Sequence, residues 1–106
     1  MSKKNDYALV NMLGTVVWSD VVRYDENKKE LHNYFIQVID KYNDKERKHS
    51  FKATQFGLKR NSPIFERGDR VKISGFLKVN RYQNNDGEWV NQPYISINKI
   101  EDVDAE

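Results

Sequence analysis

Five aromatic side chains in this sequence fall where a small core cannot use them: Tyr42, Phe56, Phe76, Tyr82 and Trp89. Each sits in a loop or on the polar side of an alternating run. Lys41, Lys52, Lys78 and Arg81 lie within a few residues of them. A flat ring offers a stacking surface to any base, and a neighbouring cation offers a partner to the phosphate beside it. The chemistry these residue types suit is therefore non-covalent binding of single-stranded nucleic acid. Lys48, Lys52, Lys72, Lys78 and Arg81 are the candidate phosphate contacts, and the five aromatics are the candidate stacking residues.

Bond-breaking chemistry finds no matching residue set. His32 and His49 fall in or beside expected strands, with no serine or cysteine nucleophile pattern attached. Asp44-x-Glu46 and Glu101-Asp102-x-Asp104 pair carboxylates, but in a loop and a tail, where solvated charge is the simpler reading. There is no glycine-rich phosphate loop after a strand. Arg67-Gly68-Asp69 reads as a turn. With no cysteine, disulfides and thiolate metal sites are excluded. No metal or cofactor is expected.

The charge is unevenly placed. Residues 41–81 carry twelve basic and four acidic side chains, a net of +8, whereas residues 82–106 carry one basic and six acidic, a net of −5. A concentrated basic block points to a polyanionic partner; a merely solvated face is the alternative from charge alone. No apolar run reaches membrane-spanning length, and the first residues lack the apolar segment of a signal peptide. The expectation is a cytoplasmic, nucleoid-associated protein with no membrane contact.

These residues need strands to position them. In 71–79, Val71, Ile73, Gly75, Leu77 and Val79 alternate with Lys72, Ser74, Phe76 and Lys78, which predicts a strand with its first set in a core. Gly75 in mid-strand predicts a bend or a close backbone approach. A polar excursion over 80–92 and a second alternating run over 94–100 complete a long hairpin. Upstream, 7–24 reads as a long first strand bent at Gly14. Strands over 31–40, with Tyr34, Ile36 and Val38 inward, and over 49–56, with Phe51 and Ala53 on one face, follow it. Tyr24, Tyr34, Phe51 and Phe65 are assigned to the core or its cover. Trp18 stays open between core, subunit interface and ligand face. Pro63 limits any helix between the third and fourth strands. The fold expected is all-β: a five-stranded Greek-key barrel of the OB type, with a short helix or irregular insert between strands 3 and 4 and a long β4–β5 hairpin. At 106 residues it is one domain over 7–101, with a flexible N-terminus over 1–6 and a short acidic tail over 102–106.

Several stretches resemble the bacterial single-stranded-DNA-binding protein family, over about residues 8–100. They are Met12-Leu13-Gly14-Thr15-Val16, Val22-Arg23-Tyr24, Asn33-Tyr34-Phe35-Ile36-Gln37-Val38, Gln55-Phe56-Gly57, the run from Gly68 to Leu77, and the Asp86-Gly87 turn. The resemblance implies an OB fold, base stacking at Tyr42, Phe56 and Tyr82, and a homo-oligomer, dimer or tetramer. There are departures. Ser50 stands where the family often has tryptophan, Ser19-Asp20 where it often has proline, and the Gly/Pro-rich tail is not seen before Glu106. A short form of the family, similar to primosomal replication protein N or to a phage or mobile-element version, is expected.

The function expected is binding of single-stranded DNA with little sequence preference, in DNA replication, recombination or repair, with replication or repair proteins as further partners. The competing readings are a protein-interaction OB module in a replication-restart assembly, and RNA binding. The apolar surplus Leu9, Val17, Trp18 and Val21 on the first strand independently predicts self-association.

Overall fold

Long alternating runs build five strands: β1 (Leu9–Tyr24), β2 (Lys29–Tyr42), β3 (Lys45–Lys59), β4 (Arg70–Gln83) and β5 (Trp89–Asp102). The structure, a computed structural model, describes residues 6–24, 26 and 28–103. The strands close into a barrel in the order β1-β2-β3-β5-β4. All neighbours are antiparallel except β3 and β5, which meet in parallel at Ala53–Ile95 and Thr54–Ser96. The all-β Greek-key barrel expected from the sequence is the fold found. The insert between β3 and β4 is irregular, and no helix occurs among the described residues. Of the segment 1–6 only Asp6 is described, and 104–106 also lie outside the described residues.

Closure depends on β1 serving two partners. Leu9 to Thr15 pair with β4, Thr15 to Tyr24 pair with β2, and Thr15 belongs to both ladders. The strand must therefore turn sharply, and a register shift between Val16 and Trp18 marks the bend. Gly14 sits inside it. A Cβ there would lie 2.6 Å from the Gln37 carbonyl oxygen, so no side chain fits. Gly75 has the same role on β4: a Cβ would lie 2.2 Å from the Ser96 carbonyl oxygen, where the ladder shifts register between Ser74 and Gly75. The close approach expected at Gly75 is thus real.

The core is Met12, Val16, Tyr34, Ile36, Ala53, Val71, Ile73, Ile95 and Ile97. Ile64 and Phe65, from the irregular insert, close one end of the barrel. Phe65 donates its N–H to the Tyr34 hydroxyl at 3.3 Å, and burial pushes that phenol above its ordinary pKa. The Arg67-Gly68-Asp69 turn is stitched to β1. Gly68 donates its N–H to the Val16 carbonyl at 2.8 Å, and Val16 donates to the Asp69 carbonyl at 2.9 Å. Below it, Glu30 and His32 form a buried pair 2.5 Å apart, and Glu30 also accepts the Asn61 N–H at 2.8 Å. The His32 hydrogen bond, then the Asn61 N–H, hold the Glu30 carboxyl below its usual range.

Four core assignments need correction. Leu77 and Val79 keep the inward phase of β4, yet they are 46% and 59% exposed. Barrel closure ends near Gly75; beyond it β4 and β5 continue as a two-stranded arm with no opposite wall. Phe51 is exposed for the matching reason at the start of the β2–β3 arm. Tyr24 lies on the outside of β1, exposed, and is neither core nor cover. Strand boundaries differ in the same sense: 80–92 is mostly strand, with only 84–88 left as the turn.

Candidate nucleic-acid interface

Residues directly opposed in an antiparallel pair share a face, and successive residues alternate. These two rules map the outside of the barrel. On β1 it carries Trp18, Asp20 and Val22, which oppose Phe35, Asn33 and Leu31 of β2. On β3 it carries Lys52 and Thr54, which oppose Phe35 and Asn33, and then Phe56. Across the parallel junction it continues to Tyr94 of β5, and from there to Lys78, Asn80 and Tyr82 of β4.

Two ring pairs stand on this face. Trp18 and Phe35 have centroids 5.3 Å apart, and Phe56 and Tyr94 6.3 Å apart. All but Tyr94 are open to solvent over a third or more of their surface. Lys52 lies between the pairs. A cleft of about 440 Å³ opens there, floored by Thr54 and Asn33 and walled by Tyr24, Phe56, Tyr94 and Gln92. The Thr54 hydroxyl donates to Asn33 Oδ1 at 2.8 Å. Rings, a cation and amides on one continuous sheet can hold unstacked bases and the phosphate that links them. Among the described residues, no three histidine or acidic side chains gather as metal ligands.

The structure brings together only part of the expected set. Lys52 and Phe56 line the cleft, Lys78 opposes Tyr94, and Tyr82 opposes Val90 further along the same face of the arm. Lys48 opposes Ile39 on the outer face of the β2–β3 arm. Trp89, Arg81, Tyr42 and Lys72 are elsewhere. Trp89 lies under the Arg81 guanidinium, 4.7 Å from its ring centroid, on the reverse face of the β4–β5 arm. Tyr42 lies under Arg47 at 5.8 Å, on the reverse face of the β2–β3 arm. Each of these rings already has one cation over it. Phe76 keeps the outer phase of β4 two residues before Lys78, opposite Ser96, where it meets Tyr7 edge-on at 5.9 Å. Lys72 opposes Glu101, some 25 Å along β4 from Asn80 at about 3.3 Å per residue. Glu101 is held below its ordinary pKa by Lys99 first and by Lys72 after it.

Trp18, Phe35, Tyr24, Tyr94 and Asn33 belong to the face without having been placed in the candidate site. Simple alternation carries the signal for Phe35, outward between Tyr34 and Ile36, and for Tyr94, outward before Ile95. Trp18 is different, because the bulge after Val16 resets the phase and hides its side.

No protein-family model matches the chain, and no curated protein matches it. Solved structures do. A single-stranded-DNA-binding protein of Plasmodium falciparum, in complex with ssDNA, superposes with a TM-score of 0.75 at 15% identity over 95% of this chain and 96% of that one. The small single-stranded-DNA-binding protein of Streptomyces coelicolor gives 0.70 at 17% identity, over 92% and 95%. The mitochondrial single-stranded-DNA-binding protein of S. cerevisiae gives 0.63 at 12%, over 93% and 97%. The chain shares the OB barrel of these proteins along nearly its whole length.

Proposed function

We propose that this protein binds single-stranded DNA through the outer face of β1, β2, β3 and β5 and the β4 segment around Lys78. The observation that carries the reading is the pair of exposed ring clusters, Trp18–Phe35 and Phe56–Tyr94, with Lys52 between them on one sheet. The likeness to three single-stranded-DNA-binding proteins supports it, one of them held in complex with ssDNA. Bases stack on the rings, while Lys48, Lys52 and Lys78 neutralise phosphates. Such binding is tolerant of sequence, since every base has a π-face. The role is non-catalytic and belongs to DNA replication, recombination or repair.

Titration of intrinsic tryptophan fluorescence with oligo-dT tests the proposal. Quenching that saturates, and that weakens with added salt, is the expected result. A signal that oligo-dT leaves untouched would overturn it and favour an interaction module.

Self-association is part of the same proposal. Val10, Leu13, Val38, Phe51 and Leu77 line an apolar groove of about 370 Å³ at the barrel mouth, and Leu13, Phe51 and Leu77 are each exposed over two fifths or more of their surface. A single core leaves this surplus uncovered, and a second copy would cover it. Sedimentation at micromolar concentration is expected to show a dimer or larger species; a monomer alone would refute it.

A further inference from the structure

We infer that the cleft beside Phe56 is a base-reading subsite that favours bases with a carbonyl over bases with an amine at the edge far from the sugar. This rests on the single-strand reading above. The inference comes from the one polar contact that fixes the cleft floor. Asn33 and Thr54 are opposed across β2 and β3, and the Thr54 hydroxyl donates to Asn33 Oδ1 at 2.8 Å. Thr54 is 4% exposed, so its hydroxyl has little access to water and is committed to that bond.

An amide has an acceptor end and a donor end. With the oxygen occupied by Thr54, Asn33 presents its Nδ2–H₂ group to the cleft. The orientation follows from the hydroxyl proton: the buried Thr54 hydroxyl has no other acceptor among the described residues, so it must donate to the amide, and only the amide oxygen can accept. Asp20 opposes Asn33 on β1 but lies outside the cleft. Asn80 and Gln92 also border the cleft, opposed to each other on β4 and β5. No such lock fixes their amides, so they can turn either end to a base and add no preference.

A base that stacks on the exposed face of Phe56 leads into the cleft with the edge away from its sugar. In uracil and thymine that edge carries the O4 carbonyl; in cytosine it carries an amine. The locked donor meets an acceptor in the first case and another donor in the second. A buried donor left facing a donor loses its hydrogen bond to water without replacement. One such contact corresponds to about three- to tenfold in affinity. The face outside the cleft stacks any base, so selectivity is confined to one nucleotide per protein chain.

The experiment compares oligo-dU and oligo-dC of equal length, two pyrimidines without the thymine methyl, at pH 8 where cytosine is unprotonated. Wild type should bind oligo-dU about three- to tenfold more tightly. Asn33→Asp keeps an acceptor for Thr54 but replaces the donor end by oxygen. It should remove or invert the ratio, whatever the added charge does to both affinities. Thr54→Val removes the lock at nearly constant volume and should bring the ratio close to one while both oligomers still bind. Melting curves show that each variant is folded, and the wild-type ratio stands as a test without them. Equal wild-type affinities, or a ratio that survives both substitutions in folded protein, would overturn the subsite while leaving the single-strand reading in place. Failure of the wild type to bind either oligomer would overturn both.

Discussion

The salt dependence of binding should distinguish the face assigned here from the basic block as a whole. Twelve cations lie within residues 41–81, but only Lys48, Lys52 and Lys78 of the expected phosphate contacts point to the outer face that carries the exposed rings. Each phosphate contact to a single strand contributes about −0.7 to the slope of log K against log salt. Three contacts therefore give a slope of about −2 per bound chain, shallower than the roughly −3.5 that all five candidates would give. Lys52→Ala should reduce the slope to about −1.4 and weaken binding about fivefold at 0.1 M salt. Lys72→Ala should leave the slope at about −2, because Lys72 faces Glu101 on the far end of β4. Fluorescence titrations with oligo-dT at four or five NaCl concentrations measure both quantities. If Lys72→Ala flattens the slope as much as Lys52→Ala, the strand runs over β4 and β5 near Glu101 and the assigned face is wrong. If neither substitution moves it, phosphate neutralisation by strand residues is not the source of affinity.

Other outcomes follow from the same geometry. Trp18→Phe should abolish most of the quenching by oligo-dT while Trp89→Phe retains it, because Trp89 lies on the reverse of its arm under Arg81; the opposite pattern would move the interface to the arm's other side. Phe56→Ala should weaken binding by about 1–3 kcal/mol, read by titration against a wild-type control of equal stability. Gly75→Ala should lower stability in denaturant melts by about 3 kcal/mol, because the added methyl meets the Ser96 carbonyl and not a movable side chain. For Glu30, the depressed carboxyl means its contribution is fully present above the ordinary carboxylate range of about 4.3 and is lost as pH falls through its lower folded value. Glu30→Gln should therefore melt below wild type at pH 7, with the gap closing in acid; a gap that is constant with pH would refute a carboxylate at Glu30 held ionised by the fold.

Much of the barrel was legible because its cause is local. Alternation along β4 and β5, glycines at 14 and 75, and a proline in the insert each act through their own backbone and neighbours. What stayed hidden depended on where the sheet closes. Leu77 and Val79 carry the same pattern as Val71 and Ile73, and nothing in the sequence marks the point at which the opposite wall ends. The same limit affected the candidate site. Arg81 and Tyr82 are adjacent in sequence, which assigns both to one ligand, yet adjacency in a strand puts them on opposite faces. Phe35 and Tyr94 could be placed outside by parity alone. Asn33 could not be singled out, because its role rests on a partner 21 residues away on β3.

The arms carry the consequence furthest. Past the point of closure, β4 and β5 keep alternating with no core to receive their inner residues. One face of the arm then extends the sheet that bears Lys78, Tyr94 and Tyr82, and the other bears Leu77, Val79 and the Arg81–Trp89 pair. The β2–β3 arm divides in the same way, with Lys48 and Lys52 outside and Phe51, Tyr42 and Arg47 on the reverse. A single strand pattern thus yields two surfaces of different chemistry, one basic and aromatic, the other apolar near the barrel and capped by arginine-covered rings at the tips. If a second copy covers the apolar reverse, the outer faces of both copies stay open to DNA. Self-association and strand binding then do not compete. Adding saturating oligo-dT should leave the sedimenting species at least as large as before, whereas dissociation to monomers on binding would mean that both ligands claim the same face.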